Sequence, residues 1–373
     1  MNASLKLIVN FIILFSFSIY PYSKFINNSL TESDTTKAQI VWEINFENES
    51  TTGLVISEGK IFINFTDGLV YCLDMNGKEK WAAEMIGSVH NNSLHYKDLF
   101  LAATDEGDLY SINANNGEVL QVLGIGEEIT SNLSLIDLPA KGYISKAVVF
   151  GTSSGNIYCY DIFTFELNWK HNLSKKKILS TPLVLNDKII FIDSSASVYC
   201  INAKSGVLIW NYISSANLDF PVIGIPIHAR DKIISLSSQK EIFALDQLSG
   251  KKIWSTKPIS FKTSPKISLL KDELFFIDEK NNLIFLSIRD GKEKSRIEFK
   301  EKIISNYVFD SNGDLSLIGF SDNSIYRITS DKKSEWILDL GDDSVSSLKI
   351  LDGNNFLVKI SYGKITLYKI SGE

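Results

Sequence analysis

The sequence has little of several features that mark particular classes of function. Lys and Arg total 38 against 44 Asp and Glu, a formal net charge of -6 over 373 residues. Such a chain lacks the basic surface that supplies most non-specific affinity for nucleic acid, so we expect no nucleic-acid partner. Only 7 prolines occur, whereas Phe, Trp and Tyr make up 11% of the residues. This balance favours many short β-strands over a disordered chain.

Long apolar runs are also scarce, and the clearest one lies near the N-terminus. Residues 7–20 are mostly apolar and follow Lys6, which predicts an export signal. The run is short for a membrane span and no clear cleavage site follows, so residues 1–22 are either a signal peptide or an N-terminal membrane anchor. Polar residues 23–37 predict a flexible linker. We therefore expect an exported protein, periplasmic or otherwise extracytoplasmic, that meets the membrane only through this segment, tethered by it if it is not cleaved.

One phrase recurs through the rest of the chain: a polar turn, an apolar strand with an aromatic residue, a Gly turn and a Trp strand. Clear copies are DGLVYCLDMNGKEKW (67–81), GNIYCYDIFTFELNW (155–169), ASVYCINAKSGVLIW (196–210) and KEIFALDQLSGKKIW (240–254), with weaker copies at 107–121, 281–295, 323–336 and 362–370. The aromatic position falls at Tyr71, Tyr110, Tyr158, Tyr199, Phe243, Phe285, Tyr326 and Tyr368. The spacing of about 42 residues is that of a four-stranded propeller blade. The sequence predicts an all-β, eight-bladed propeller over residues 38–373.

Each residue type that recurs in the copies of this phrase has a structural explanation. An Asx side chain opens the last hairpin of a copy, where it can bond the backbone two residues on, and the Gly accepts the positive φ of the turn. The tryptophans of the outermost strand are expected to wedge between adjacent blades; they are Trp81, Trp169, Trp210, Trp254 and Trp336. The last copy lacks this strand, so we expect Ala38–Glu47, which contains Trp42, to pair with 364–370 and close the ring.

The few cysteines and histidines also have structural interpretations. Cys72, Cys159 and Cys200 each follow the aromatic position of a copy, so they should lie too far apart for a disulfide and act as small buried residues. The histidines are His90, His95, His171 and His228. No two of them have the spacing of metal ligands, and we expect no metal site.

The phrase G-x-φ-Y-A-φ-D-x-x-(S/T)-G-x-x-x-W resembles the PQQ-type β-propeller repeat, over about 330 residues. An export signal followed by one ring that an N-terminal Trp strand closes is similar to the BamB family of outer-membrane assembly scaffolds. The sequence departs from the pattern at Phe165, where a Gly is expected, and in the second and sixth copies, which lack the Trp. The resemblance also extends to quinoprotein dehydrogenases, which bind pyrroloquinoline quinone with Ca²⁺ beside a vicinal Cys-Cys pair. No Cys-Cys pair occurs, and we expect no cofactor.

Two segments lengthen the repeat, and such insertions often form the working face of a repeat protein. Residues 136–145 lengthen the first hairpin of the third copy, and residues 214–226 lengthen the link between the fourth and fifth. The second is unusually apolar and is the candidate partner-binding loop, with Leu218, Phe220, Pro221, Val222 and Ile223. An ordinary surface loop is the alternative.

No catalytic set or phosphate loop stands out, so the sequence favours a non-enzymatic envelope scaffold. Its expected partners are other envelope proteins, barrel-assembly components among them, and we expect a monomer. Two alternatives remain at this level. One is a quinoprotein dehydrogenase or a relic of one, and the other is a sensor that binds a small ligand in the central channel.

Overall fold

The computed structural model describes residues 37–46, 54–89, 93–140, 143–214, 226–237, 241–256, 267–270, 272–299, 308–309, 316–319, 323–328, 334–341, 343, 345–351, 354–360 and 363–370. The regular elements in these ranges are all β-strands. No helix within these ranges is long and apolar enough to cross a membrane.

The strands of these ranges form eight antiparallel sheets of four strands, numbered 1 to 8 along the chain. The first strand, β1 (Ala38–Asn45), belongs to sheet 8. Sheet 1 contains β2 (Val55–Ser57), β3 (Lys60–Asn64), β4 (Leu69–Asp74) and β5 (Glu79–Glu84), and sheet 2 contains β6 (Leu94–Tyr96), β7 (Leu99–Ala103), β8 (Asp108–Asn113) and β9 (Val119–Gly124). Sheet 3 contains β10 (Ser134–Ala140), β11 (Tyr143–Gly151), β12 (Asn156–Asp161) and β13 (Leu167–Asn172), and sheet 4 contains β14 (Leu183–Leu185), β15 (Lys188–Ile192), β16 (Val198–Asn202) and β17 (Leu208–Tyr212). Sheet 5 contains β18 (Ile227–Ala229), β19 (Lys232–Leu236), β20 (Ile242–Asp246) and β21 (Lys252–Ser255), and sheet 6 contains β22 (Ser268–Leu270), β23 (Glu273–Ile277), β24 (Asn282–Ser287) and β25 (Glu293–Glu298). Sheet 7 contains β26 (Val308–Phe309), β27 (Ser316–Gly319), β28 (Ser324–Ile328) and β29 (Ser334–Asp339), and sheet 8 contains β30 (Val345–Ile350), β31 (Asn355–Ile360) and β32 (Lys364–Ile370) besides β1.

The sheets are arranged as the blades of a propeller. The first strands of neighbouring sheets contact each other, as β2 contacts β6, β10 contacts β14 and β18 contacts β22. Propeller blades meet most closely at their inner strands, which surround the central channel. The predicted all-β propeller is therefore confirmed. That the eight sheets form one ring of eight blades stays a prediction.

The hydrophobic core lies between the sheets rather than within one of them. In β3, Phe62 packs in a cluster with Phe100 of sheet 2, whereas Ile61 and Ile63 pack on the opposite face with Trp42 of sheet 8. Both faces of the middle strands are buried, so these strands are almost continuously apolar instead of alternating. Each sheet is thus held in place by its two neighbours.

The two ends of the described chain meet in sheet 8. Strand β1 pairs antiparallel with β32, from Ala38 opposite Ile370 to Asn45 opposite Lys364. The Glu43 carboxylate accepts a hydrogen bond from Thr366 Oγ1 at 3.1 Å. The predicted pairing of the N-terminal Trp strand with the last repeat is confirmed over these residues.

Five outer-strand tryptophans dock on the next sheet. In five seams the indole N–H donates to a carbonyl in the last turn of the following sheet: Trp42 to Met75 at 2.9 Å, Trp81 to Ala114 at 3.0 Å, Trp169 to Ala203 at 3.0 Å, Trp210 to Gln247 at 3.2 Å and Trp254 to Ile288 at 3.2 Å. The turn glycine lies directly on the ring, because a Cβ added to Gly250 would be 2.5 Å from Trp210. Trp336 is half-buried in β29.

The cysteines are small buried residues, as predicted. Cys72, Cys159 and Cys200 are free and fully buried in three different sheets. Burial raises the pKa of Cys72 and Cys200 to about 11 and that of Cys159 to about 12. These thiols therefore stay protonated and unreactive at neutral pH.

Candidate partner-binding surface

The loop that the sequence singled out, with Leu218, Phe220, Pro221, Val222 and Ile223, lies outside the described residues. Its role stays a prediction. The other lengthened segment, in sheet 3, is described except for residues 141 and 142, and it lies beside an irregular seam between sheets 2 and 3.

The irregularity of this seam consists of two linked substitutions. Gln121 stands in β9 where sheets 1, 3, 4, 5 and 8 have the docking Trp, and Phe165 stands in the following sheet where the turn Gly is expected. The repeat places these two positions against each other, as Trp210 lies against Gly250. No indole occupies the site, so a large side chain is allowed; Phe165 keeps the positive φ of the turn, at 55°, and packs on the seam cluster together with Leu123.

The first hairpin of sheet 3 is longer than its counterparts, which confirms the predicted insertion. Strands β10 and β11 have 7 and 9 residues, whereas β2 and β3 of sheet 1 have 3 and 5. A salt bridge from Lys146 to Asp137 joins the two strands, and Ser145 donates to Asp161 at the start of the last turn. The hairpin therefore stands rigidly beside that turn and holds Ile144 with 68% of its surface exposed.

Large apolar side chains are exposed around this seam. Phe163, in the last turn of sheet 3, is 54% exposed, and Leu167, which begins β13, is 51% exposed. We define the sheet 2/3 patch as Val119, Leu120, Ile144, Phe163 and Leu167, all of them exposed. Grouped exposure of this kind marks interaction surfaces in soluble proteins.

A partly buried polar network lies in the link between sheets 2 and 3. Glu127, in the link between sheets 2 and 3, accepts hydrogen bonds from Tyr158, from Thr152 Oγ1 at 2.7 Å and from Asn156 Nδ2 at 2.8 Å. The Lys170 ammonium lies 3.6 Å from the carboxylate and 4.6 Å from the centroid of the Tyr158 ring. These contacts fix the link that follows sheet 2 to sheet 3.

The other repeat tyrosines are also structural. Tyr110 accepts a hydrogen bond from the Ile86 backbone N–H at 3.0 Å, and Tyr199 donates to Asp193 at 3.2 Å. The Tyr71 ring packs against Phe46 in a tilted arrangement and against Phe65 edge-on. Each thus ties its strand to neighbouring elements of the repeat.

The hydrogen bonds on Glu127 lead to a prediction about pH. Burial alone would raise the pKa of Glu127, but donors led by Tyr158 and Thr152 outweigh it and lower the pKa to about 2. The folded state binds fewer protons than the unfolded one, so the carboxylate stabilises the fold above about pH 4.5 and this contribution is lost as the pH falls toward 2. We expect Glu127→Gln to cost about 2 kcal/mol at pH 7 and little near pH 2.5, measured by urea unfolding.

The exposed Glu128→Gln variant is the matched control. It should change the free energy of unfolding by less than about 0.5 kcal/mol at any pH. An equal loss for Glu127→Gln at pH 7 and at pH 2.5 would show that the carboxylate charge contributes nothing.

The polar residues of the described ranges do not converge on a reaction centre. No group of three or more His, Cys, Asp or Glu side chains there is placed to hold a metal ion. His171 contacts the Ser205 carbonyl at 3.0 Å and His228 contacts the Gln247 side chain at 2.8 Å, both at the surface. His90 lies outside the described residues.

Comparison with known proteins agrees with the repeat and the fold. A family model described as outer membrane protein assembly factor BamB matches residues 22–212 and 169–368. The chain belongs to this family of PQQ-type propellers. The match spans both the regular seams and the irregular one.

Individual relatives of the family are distant. The BamB of Moranella endobia (strain PCIT) is 22% identical over 195 residues, which are 49% of this chain and 50% of that protein. The chain therefore spans about half the length of this curated relative. The crystal structure of BamB from Moraxella catarrhalis has a TM-score of 0.69 at 13% identity and covers 89% of this chain and 99% of that one.

The fold is shared more widely than the family. The computationally designed protein Ika8 has a TM-score of 0.69 at 15% identity, over 87% of this chain and 98% of that one. The C-terminal WD40 domain of Sif2 has a TM-score of 0.67 at 11% identity, over 90% and 99%. These likenesses show the propeller fold alone, so a function must be argued from the surface.

Proposed function

We propose that this chain is a non-enzymatic, exported scaffold that binds partner proteins during the assembly of outer-membrane proteins. The observation that carries the proposal is the exposed sheet 2/3 patch, which lies where the repeat departs from its own pattern. A propeller needs neither a lengthened hairpin nor exposed apolar side chains at that seam to be stable. Membership of the BamB family supports the assembly role.

The supporting architecture is a single rigid ring. In the proposal, residues 38–373 form one closed ring of eight blades, residues 1–22 direct export and residues 23–37 link that segment to the ring. The ring is a monomer that holds its partners through side chains on its face and rim. The location is periplasmic, with a membrane tether if residues 1–22 are retained.

The described polar groups support a scaffold better than an enzyme. Glu127 and Asp193 are surrounded by hydrogen-bond donors of their own seams, and the cysteines stay protonated. The competing function is that of a quinoprotein dehydrogenase. Stoichiometric retention of pyrroloquinoline quinone with Ca²⁺ by the purified protein would favour it over the scaffold.

The assembly role predicts a specific defect in cells. Deletion of the gene in the native organism should lower the amount of folded β-barrel proteins in the outer membrane several-fold, because a scaffold that brings assembly components together raises their effective concentration. Heat-modifiable electrophoretic mobility and quantitative proteomics of outer-membrane fractions measure this effect. Expression of the wild-type chain should restore the barrels. Unchanged barrel levels in the complete deletion would contradict the role.

A further inference from the structure

Resting on the proposed scaffold function, we propose that the sheet 2/3 patch binds an apolar segment of a partner protein that is flanked by lysine or arginine residues. Apolar side chains of β9, β11, β13 and the last turn of sheet 3 form the contact, and two glutamates at its border select the charge of the partner.

The repeat does not require apolar residues at this part of the rim. The two residues before the Trp position are Val119 and Leu120 in sheet 2, but Glu79–Lys80 in sheet 1 and Glu293–Lys294 in sheet 6. All of these positions are exposed. The same two positions are apolar and exposed in sheet 4 (Leu208 and Ile209) and in sheet 8 (Ile40 and Val41). The apolar pair alone therefore does not distinguish the patch, and the residues at its border do.

The charge at the border of the patch is also reversed. The residue after the turn Gly position is Lys78, Lys251 and Lys292 in sheets 1, 5 and 6, and Val207 in sheet 4. It is Glu118 in sheet 2 and Glu166 in sheet 3, on the two sides of the patch. Both glutamates are exposed, and neither forms a salt bridge with any described residue. Unpaired carboxylates beside an apolar surface fit a partner with basic flanks, since complementary charge selects partners and accelerates their encounter.

The edge of β9 indicates that side chains, rather than backbone, make the contact. Gln121 pairs with Ser111 and Val119 with Ile112, so Leu120 is an extra residue in a β-bulge. A bulge bends the strand and interrupts the row of backbone groups that an added strand would need. In the proposal, Leu120 is an anchor for a partner pocket, together with the exposed side chains of Leu167 and Phe163.

Two fluorescent peptides test this inference on the protein purified from the envelope. Both carry the same apolar core, with lysine pairs at the ends of one and glutamate pairs at the ends of the other. Fluorescence anisotropy should show binding of the lysine-flanked peptide, at least tenfold tighter than binding of the glutamate-flanked peptide. The double variant Glu118→Lys/Glu166→Lys should reverse this preference.

Exposed apolar residues of another sheet provide the control. Leu120→Ser/Leu167→Ser should weaken binding of the lysine-flanked peptide about tenfold, whereas Leu248→Ser/Ile253→Ser in sheet 5 should not change it. All four side chains are exposed, so both variants should melt at the temperature of the parent. Equal binding of the two peptides, or equal loss in the two variants, would overturn the proposal. So would a dimer, detected by light scattering, that the sheet 2/3 variant dissociates, because the patch would then be occupied by a second copy.

The peptide-binding experiment and the gene-deletion experiment test the two proposals independently. If deletion lowers barrel levels but neither peptide binds, the scaffold function stands, and the sheet 2/3 patch does not bind apolar segments with basic flanks. If the lysine-flanked peptide binds as expected and deletion changes no barrel protein, the patch stands and the assembly role is wrong.

Discussion

A variant that lacks residues 38–47 should lose most of the stability of the propeller. The deletion removes β1 and leaves β32 as an unpaired edge in sheet 8. It also removes Trp42 and Ile44 from the cluster between sheets 8 and 1. The loss of one such Trp costs about 3–5 kcal/mol, a large part of the 5–15 kcal/mol that stabilises a typical domain. Thermal unfolding followed by circular dichroism, with light scattering to detect aggregation, measures the effect.

The control for this deletion is a substitution in the same strand that leaves the pairing intact. Val41 is exposed on β1, so Val41→Ser should melt within a few degrees of the parent. A peptide of residues 38–47, added in excess, should bind the deleted protein and restore part of its melting temperature by mass action. A deleted protein that melts like the parent would show that β1 does not hold the ring together.

Much of the fold could be predicted because the turns of each repeat are determined by residues close together in the sequence. Asp74 and Asp246 each accept a backbone hydrogen bond from the residue two positions on, and such turns depend only on neighbouring residues. The aromatic and Trp positions then set the length of each unit. The pairing of β1 with β32 was predictable for a related reason. The last repeat lacks its outermost strand, and an extra strand with Trp42 precedes the first repeat.

The link between Gln121 and Phe165 could not be predicted from one repeat at a time. The sequence shows a missing Trp in one copy and a missing Gly in the next, as two separate departures. Only the docking of each Trp on the following sheet shows that the two residues share one site. A comparison of the Trp position in each copy with the Gly position in the next would have found the signal.

The patch was missed because exposure is a property of the assembled sheets. Leu99 and Leu101 of β7 are buried, whereas Val119 and Leu120 of β9 are exposed, although both pairs lie in short apolar strands. The difference arises because β7 has a strand on each side and β9 is outermost in its sheet. Sequence composition selected the apolar loop 214–226 instead, which remains a second candidate.

Replacing a docking glycine should destabilise the propeller strongly. In Gly250→Val, the new Cβ would lie 2.5 Å from the Trp210 ring, and a β-branched residue would have to adopt a φ of +69°. Overpacking and backbone strain together should cost about 3–5 kcal/mol, measured as a shift of the urea midpoint at constant slope. Gly59 has a similar φ of +73° with open space around a Cβ, so Gly59→Asn should lose far less. Equal losses would mean that the indole contact is unimportant.

At the irregular seam between sheets 2 and 3, the same Trp–Gly contact can be tested by introducing it. Gln121→Trp alone should push a new indole against Phe165, at a cost of about 1–3 kcal/mol. Phe165→Gly alone should remove a packed ring from the seam and cost about 2–4 kcal/mol. The double variant Gln121→Trp/Phe165→Gly should recreate the dock that the other five tryptophans form, and it should be more stable than the sum of the single effects by about 1–3 kcal/mol. If the two effects simply add, Gln121 and Phe165 do not share a site, and the lack of Trp and the lack of Gly at this seam have separate causes.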